Sequence, residues 1–185
     1  MYYYNSLVFE ELPLVSVTKI EHAGGELMGM RAPYQVLVIP FVFRELGIEY
    51  AILKRSDMDY WQAIAGGGEM GETPEQSARR EAFEETGLGE DCGLIHLDSK
   101  TSLPVEHVVG HFLWGEEVFV IPEYSFGLEV YDQKLNLSKE HTTYKWVSYE
   151  EAVSALKWDS NKTALWELHT RLNIRNSLKE NYVKL

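Results

Sequence analysis

Short runs of β-branched and aromatic residues, separated by polar turns, mark much of the chain as strand. The candidates are residues 14–20, 34–43, 48–54, 60–65, 104–114, 117–121, 125–131 and 143–147. Arg44-Glu45-Leu46-Gly47 is the expected turn between the second and third. Pro40 inside an otherwise apolar run predicts an edge strand or a bulge at that point. Residues 1–30 form an extension ahead of the main sheet, with 14–20 as an extra strand.

Helices are fewer and better marked. Thr73-Pro74-Glu75-Gln76 is a capping box with proline in the first helical position, and Gly87 supplies the stop. Ser148-Tyr149-Glu150-Glu151 opens a second helix, running to about Lys157. After Asp159-Ser160-Asn161, the residues Ala164, Leu165, Leu168 and Leu172 recur at helical spacing. The pattern predicts an α/β chain: a mixed sheet with one early helix and two late ones.

The 185 residues suffice for one domain with its own core. The longest apolar run, residues 36–43, is too short to cross a bilayer, and the N-terminus lacks a signal-peptide pattern. Cys92 is the only cysteine, which excludes an intrachain disulfide and a cysteine-rich metal site. These features predict a cytoplasmic protein without a membrane partner. A net charge of −12 disfavours a nucleic acid polymer as partner but not a small anion delivered with a cation.

Despite that charge, Glu81, Glu84 and Glu85 are spaced i, i+3, i+4 on the first helix, within an arc of roughly 100°. Like charges so placed repel. Three carboxylates on one patch suit Mg²⁺ or Mn²⁺, which would cancel the repulsion. Gly66-Gly67-Gly68 is expected as a turn ahead of the helix, with backbone N–H groups facing phosphate oxygens. Arg80 adjoins the acidic trio and is suited to a bidentate pair with one carboxylate.

These residues resemble the Nudix box, Gly-x5-Glu-x7-Arg-Glu-U-x-Glu-Glu-x-Gly-U, where U is a bulky apolar residue. Gly66, Glu72, Arg80, Glu81, Glu84, Glu85, Gly87 and Leu88 occupy its fixed positions, and only Ala82 departs from it. The resemblance implies a Nudix-type α/β/α sandwich over residues 31–185 and hydrolysis of a diphosphate linkage. It implies Mg²⁺ bound by Glu81, Glu84, Glu85 and the Ala65 carbonyl, with Mn²⁺ as a substitute. Gly66, Glu72 and Gly87 shape the box, and Arg80 organises the catalytic glutamates. Glu140, on a loop facing the helix, is the first candidate for general base, and Glu81 is the alternative. Glu116 and Glu117 compete for that role, but their setting predicts a hairpin turn.

The segments 55–67, 137–152 and 158–168 are similar to the dihydroneopterin triphosphate and dATP pyrophosphohydrolase group. That similarity implies a nucleotide or pterin triphosphate substrate and a monomer or homodimer. Pro104, sixteen residues past the box, resembles instead a marker of ADP-ribose pyrophosphatases, so ADP-ribose and other nucleoside-diphosphate compounds are the alternative. A non-catalytic nucleotide sensor would be expected to have lost box glutamates. Arg55 and Gly67 are expected at phosphate, and Trp61 or Tyr144 against a base. Asn161 is placed to cap the last helix. If Asp159 or Ser160 caps instead, its amide is free to face an adenine or a pterin ring. His107 and His111 fall in a predicted strand and share a face without a third ligand, which argues against zinc.

Overall fold

The computed structural model describes residues 31–108, 113–131 and 134–183, with side chains through residue 178. The strand expected at 14–20 and His111 lie outside the described residues. Among the described residues, seven strands form one mixed sheet: β1 (Arg31–Arg44), β2 (Gly47–Arg55), β3 (Trp61–Gln62), β4 (Ile64–Glu69), β5 (Gly93–Pro104), β6 (Val120–Glu129) and β7 (His141–Val147). Three helices complete it: α1 (Pro74–Thr86), α2 (Tyr149–Ala155) and α3 (Asp159–Val183). No described helix is long and apolar enough to cross a membrane.

β1 organises the sheet. One side pairs in parallel with β6; the other pairs antiparallel with β4 along its first half and with β2 along its second. Its side chains alternate between two cores. Val36 and Val38 join Ala78 and Ala82 of α1, while Leu37, Ile39 and Phe41 join Ala152 of α2 and Leu165, Leu168 and Leu172 of α3. A strand covered on both faces needs apolar residues at consecutive positions, which accounts for the run at 36–43. The layers are therefore α1, sheet, and α2 with α3: an α/β/α sandwich.

Pro40 lies in this central strand, neither at an edge nor in a bulge. Phe41 accepts from the Val130 N–H on the β6 side, so the adjacent Pro40 nitrogen faces the opposite side. There the ladder has a gap, between Val38↔Ile64 of the β4 pairing and Phe41↔Tyr50 of the β2 pairing. The proline interrupts nothing.

Two other expectations change. The glycine run is strand, not turn: Gly66 and Gly67 pair with Val36 and Gln35 inside β4. The strand expected at 104–114 begins earlier, as β5, and gives way at Val105–His107 to a 3₁₀ turn that holds an exposed His107. Glu116 and Glu117 do lie in a turn, which begins at Gly115 (φ 100°). β5 is hidden in the sequence because its middle, Asp98-Ser99-Lys100, is polar. There the register with β6 shifts, and the Asp98 and Ser99 amides donate to Glu167 of α3, each at 2.7 Å. A side chain replaces the ladder, so no alternation survives to be read.

Candidate active site

Helix α1 starts and stops as its sequence dictates. Thr73 and Gln76 close the capping box reciprocally, and Gly87 ends the helix in the left-handed region at φ 72°. Ala78 and Ala82 are fully buried against the sheet. The small residue at the position where the box has a bulky one thus lets the helix lie close to β4. Gly66 completes this approach, because a Cβ there would collide with the Glu81 carboxylate.

Arg80 occupies the centre. Its Nε donates to Glu72 Oε1 at 2.8 Å and Nη2 to Glu72 Oε2 at 3.0 Å, a bidentate pair. Nη2 also donates to the Gly67 carbonyl at 2.7 Å, and Nη1 to Glu81 Oε1 at 2.8 Å and Glu84 Oε2 at 3.2 Å. All five guanidinium N–H groups are used. Glu72 accepts in addition from Ser77 Oγ and from the Glu69 N–H. The Arg80 guanidinium, then these further donors, hold the Glu72 carboxyl down at about 2. Burial instead pushes Glu81 up to about 7, against the opposing pull of Arg80.

The acidic trio is not gathered into one ligand set. Among the described residues, no group of three or more His, Cys, Asp or Glu side chains is placed to hold a metal ion. Glu84 points outward, its side chain 56 % exposed. Glu85 is buried, with Oε2 2.7 Å from Nε2 of an equally buried His141, and the Ala65 N–H also faces it. The repulsion expected to need a cation is offset here by Arg80 and His141, two protein cations or donors already in place.

The other predicted residues divide. Arg55 donates twice to Asp57, at 2.8 and 2.6 Å, and once to Glu140 Oε2 at 3.2 Å, so its fork is spent on carboxylates rather than left free for phosphate. Glu140 is exposed in the turn before β7. Trp61 packs against the α3-side core with the Lys145 ammonium 4.9 Å from its ring centroid, and Tyr144 OH accepts from the Leu135 N–H. Pro104 ends β5 opposite Val120. Asn161 is neither a cap nor turned to a cleft. It lies within the first turn of α3, is 2 % exposed, and its Oδ1 accepts from the Ala63 N–H at 2.9 Å. That bond fixes the short break between β3 and β4.

Among the described residues, three carry buried polar atoms without a partner: Arg31 Nε, Glu123 Oε1 and His141 Nδ1. Sequence reading missed all three. His141 follows Glu140 directly, which was the available signal; Arg31 and Glu123 are marked only by strand register.

A helix of carboxylates locked by arginine onto a glycine strand, inside an α/β/α sandwich, defines a Nudix-type hydrolase. The NUDIX domain family matches residues 35–166, and the chain belongs to it as a hydrolase of phosphoric anhydride bonds. The crystal structure of a Nudix hydrolase from Listeria monocytogenes superposes with a TM-score of 0.70 at 42% identity, over 78% of this chain and 97% of that one. The dihydroneopterin triphosphate diphosphatase of Haemophilus influenzae is 30% identical over 115 residues, 60% of this chain and 72% of its own length. The asymmetrical bis(5'-nucleosyl)-tetraphosphatase of Sus scrofa is 29% identical over 123 residues, 66% and 79% of the two chains.

Two stability measurements test this geometry. A carboxyl whose folded value lies near 2, against an ordinary 4.5, contributes stability above 4.5 that is lost as the pH falls toward 2. Glu72→Gln should therefore cost about 1.5–3 kcal/mol in denaturant unfolding at pH 7. The deficit should shrink between pH 4.5 and 2; a deficit independent of pH would contradict the Arg80 pairing. Asn161→Ala orphans the buried Ala63 N–H and should cost about 1–3 kcal/mol. An unchanged melting temperature would show that the bond carries no structural weight.

Proposed function

We propose that the protein is a Mg²⁺-dependent pyrophosphohydrolase that cleaves a nucleoside, deoxynucleoside or pterin triphosphate to the monophosphate and pyrophosphate. The observation that carries this reading is the complete set of box carboxylates, organised by Arg80 beside Gly66. The likeness to dihydroneopterin triphosphate diphosphatase supports the substrate class.

The donor types suit a hard divalent cation, and binding it requires Glu84 to turn inward and Glu85 to turn from His141. Glu81, Glu84 and Glu85 offer oxygen ligands from one helix, and burial has left Glu81 high enough in pKa for a cation to relieve it. Ala65 turns its N–H toward Glu85, and in a strand its carbonyl shares that edge. These four residues would hold the ion, which supplies charge neutralisation at the phosphates and a more acidic water. Mn²⁺ would substitute.

The chain's own residues do the rest. A water attacks an internal phosphorus, its proton passes to Glu140, and the bond to the bridging oxygen breaks with pyrophosphate as the leaving group. Arg55, itself aligned by Asp57, positions Glu140. Glu81, beside the same phosphate-facing helix surface, is the alternative base. His141 holds Glu85 from behind. The tetraphosphatase relatives favour a second reading, in which a dinucleoside polyphosphate or another nucleoside-diphosphate compound takes the same place.

Dihydroneopterin triphosphate, dATP, diadenosine tetraphosphate and ADP-ribose, each with Mg²⁺ and products identified by mass, form the test. Monophosphate and pyrophosphate from a triphosphate are expected, abolished by EDTA and reduced about 10²–10⁴-fold in Glu140→Gln. Full activity in excess EDTA, or orthophosphate alone, would overturn the proposal. Preference for the tetraphosphate or ADP-ribose would establish the second reading.

A further inference from the structure

Two of the orphaned atoms lie in one row across the sheet. Gly67 of β4 is in register with Gln35 of β1, and Gln35 with Glu123 of β6. Registered residues share a face, and Leu37 and Ile39 place this one on the α3 side. The Arg31 guanidinium occupies the space that a Cβ on Gly67 would fill. At the other end, Glu123 is 3 % exposed; Gln35 Nε2 donates to its Oε2 at 3.1 Å, while its Oε1 has no partner. Strand spacing separates the two ends by about 10 Å.

Their chemistry differs in a way that suits an asymmetric ligand. Arg31 lies within electrostatic range of Glu81 and Glu140, and Trp114 Nε1 fixes its backbone by donating to the Arg31 carbonyl at 2.7 Å. A guanidinium there is suited to phosphate oxygens. Glu123 lies away from that cluster, and an unpartnered buried carboxylate oxygen is costly unless a donor reaches it. Oε2 retains a lone pair beyond the Gln35 bond, so the carboxylate can accept two parallel N–H bonds. The heterocycles with two adjacent donors on one edge are the 2-amino-4-oxo rings: pterin, through N3–H and its amino group, and guanine, through N1–H and its amino group. Adenine offers a donor beside an acceptor and leaves one carboxylate oxygen opposed by a lone pair.

We propose that Arg31 and Glu123 are the two ends of a recognition row that selects a 2-amino-4-oxo heterocycle, Glu123 accepting from its paired donors and Arg31 engaging its phosphate. The proposal deepens the triphosphate reading and rests on it. Glu123 is covered without ligand, and the Ser160 side chain of α3 lies beside its carboxylate without closing a hydrogen bond to Oε1, so entry requires that side chain to turn aside. Burial that raises the Glu123 pKa is what a two-donor ligand would relieve.

GTP and ITP differ only in the 2-amino group and isolate the Glu123 contact. Calorimetric binding to the full chain should favour GTP over ITP by about 10–100-fold, and Glu123→Gln should collapse that ratio toward unity. Arg31→Met should instead weaken both nucleotides alike and leave the ratio standing. The wild-type ratio needs no variant, so it decides the matter even if Glu123→Gln fails to fold. Equal binding of GTP and ITP, no binding of either, or a ratio that survives in folded Glu123→Gln would overturn the proposal. Preferential GTP binding, with neither GTP nor dihydroneopterin triphosphate hydrolysed in Mg²⁺, would uphold the row and refute the triphosphate hydrolase reading.

Discussion

The Arg80 guanidinium is the fixed point of this molecule. One side chain on α1 reaches the Gly67 carbonyl in β4, both oxygens of Glu72 in the turn between them, and two glutamates of its own helix. Every donor is matched, so neither the strand nor the helix can slide without leaving a charge unpaired at the edge of the core. Loss of one partner from such a network costs far more than a surface ion pair, because what remains is a desolvated charge. The acidic helix is tolerable for the same reason.

The glycine run acquires its meaning from being a strand. Successive residues in β4 face opposite sides, so Gly66 admits Glu81 from the α1 layer while Gly67 admits Arg31 from the α3 layer. As a strand, the segment presents Gly66 to the Glu81 carboxylate on one face and Gly67 to the Arg31 guanidinium on the other.

How much of this was legible in the sequence followed from how local each signal is. The caps at Thr73, Gly87 and Ser148 were readable because capping is a contact between near neighbours, and the box residues because their spacing is fixed on one helix. Asn161 was misjudged because its partner, the Ala63 N–H, lies 98 residues away. β5 was missed because Glu167 of α3 satisfies its bulged amides. Arg31 and Glu123 share a face only through pairings of β1 with β4 and β6, and strand order leaves no mark on the residues themselves. Pro40 was readable as unusual, yet its harmlessness depends on where β1 changes partner.

The measurement that bears most directly on the account is urea unfolding of Arg80→Lys without divalent cations. Lysine keeps the charge but has three donors at one point, against five in a planar fork. If Arg80 ties β4 to α1 as described, the variant should lose about 3 kcal/mol or more of unfolding free energy relative to the wild type. Stability within about 1 kcal/mol of wild type, the range of an ordinary surface pair, would contradict it.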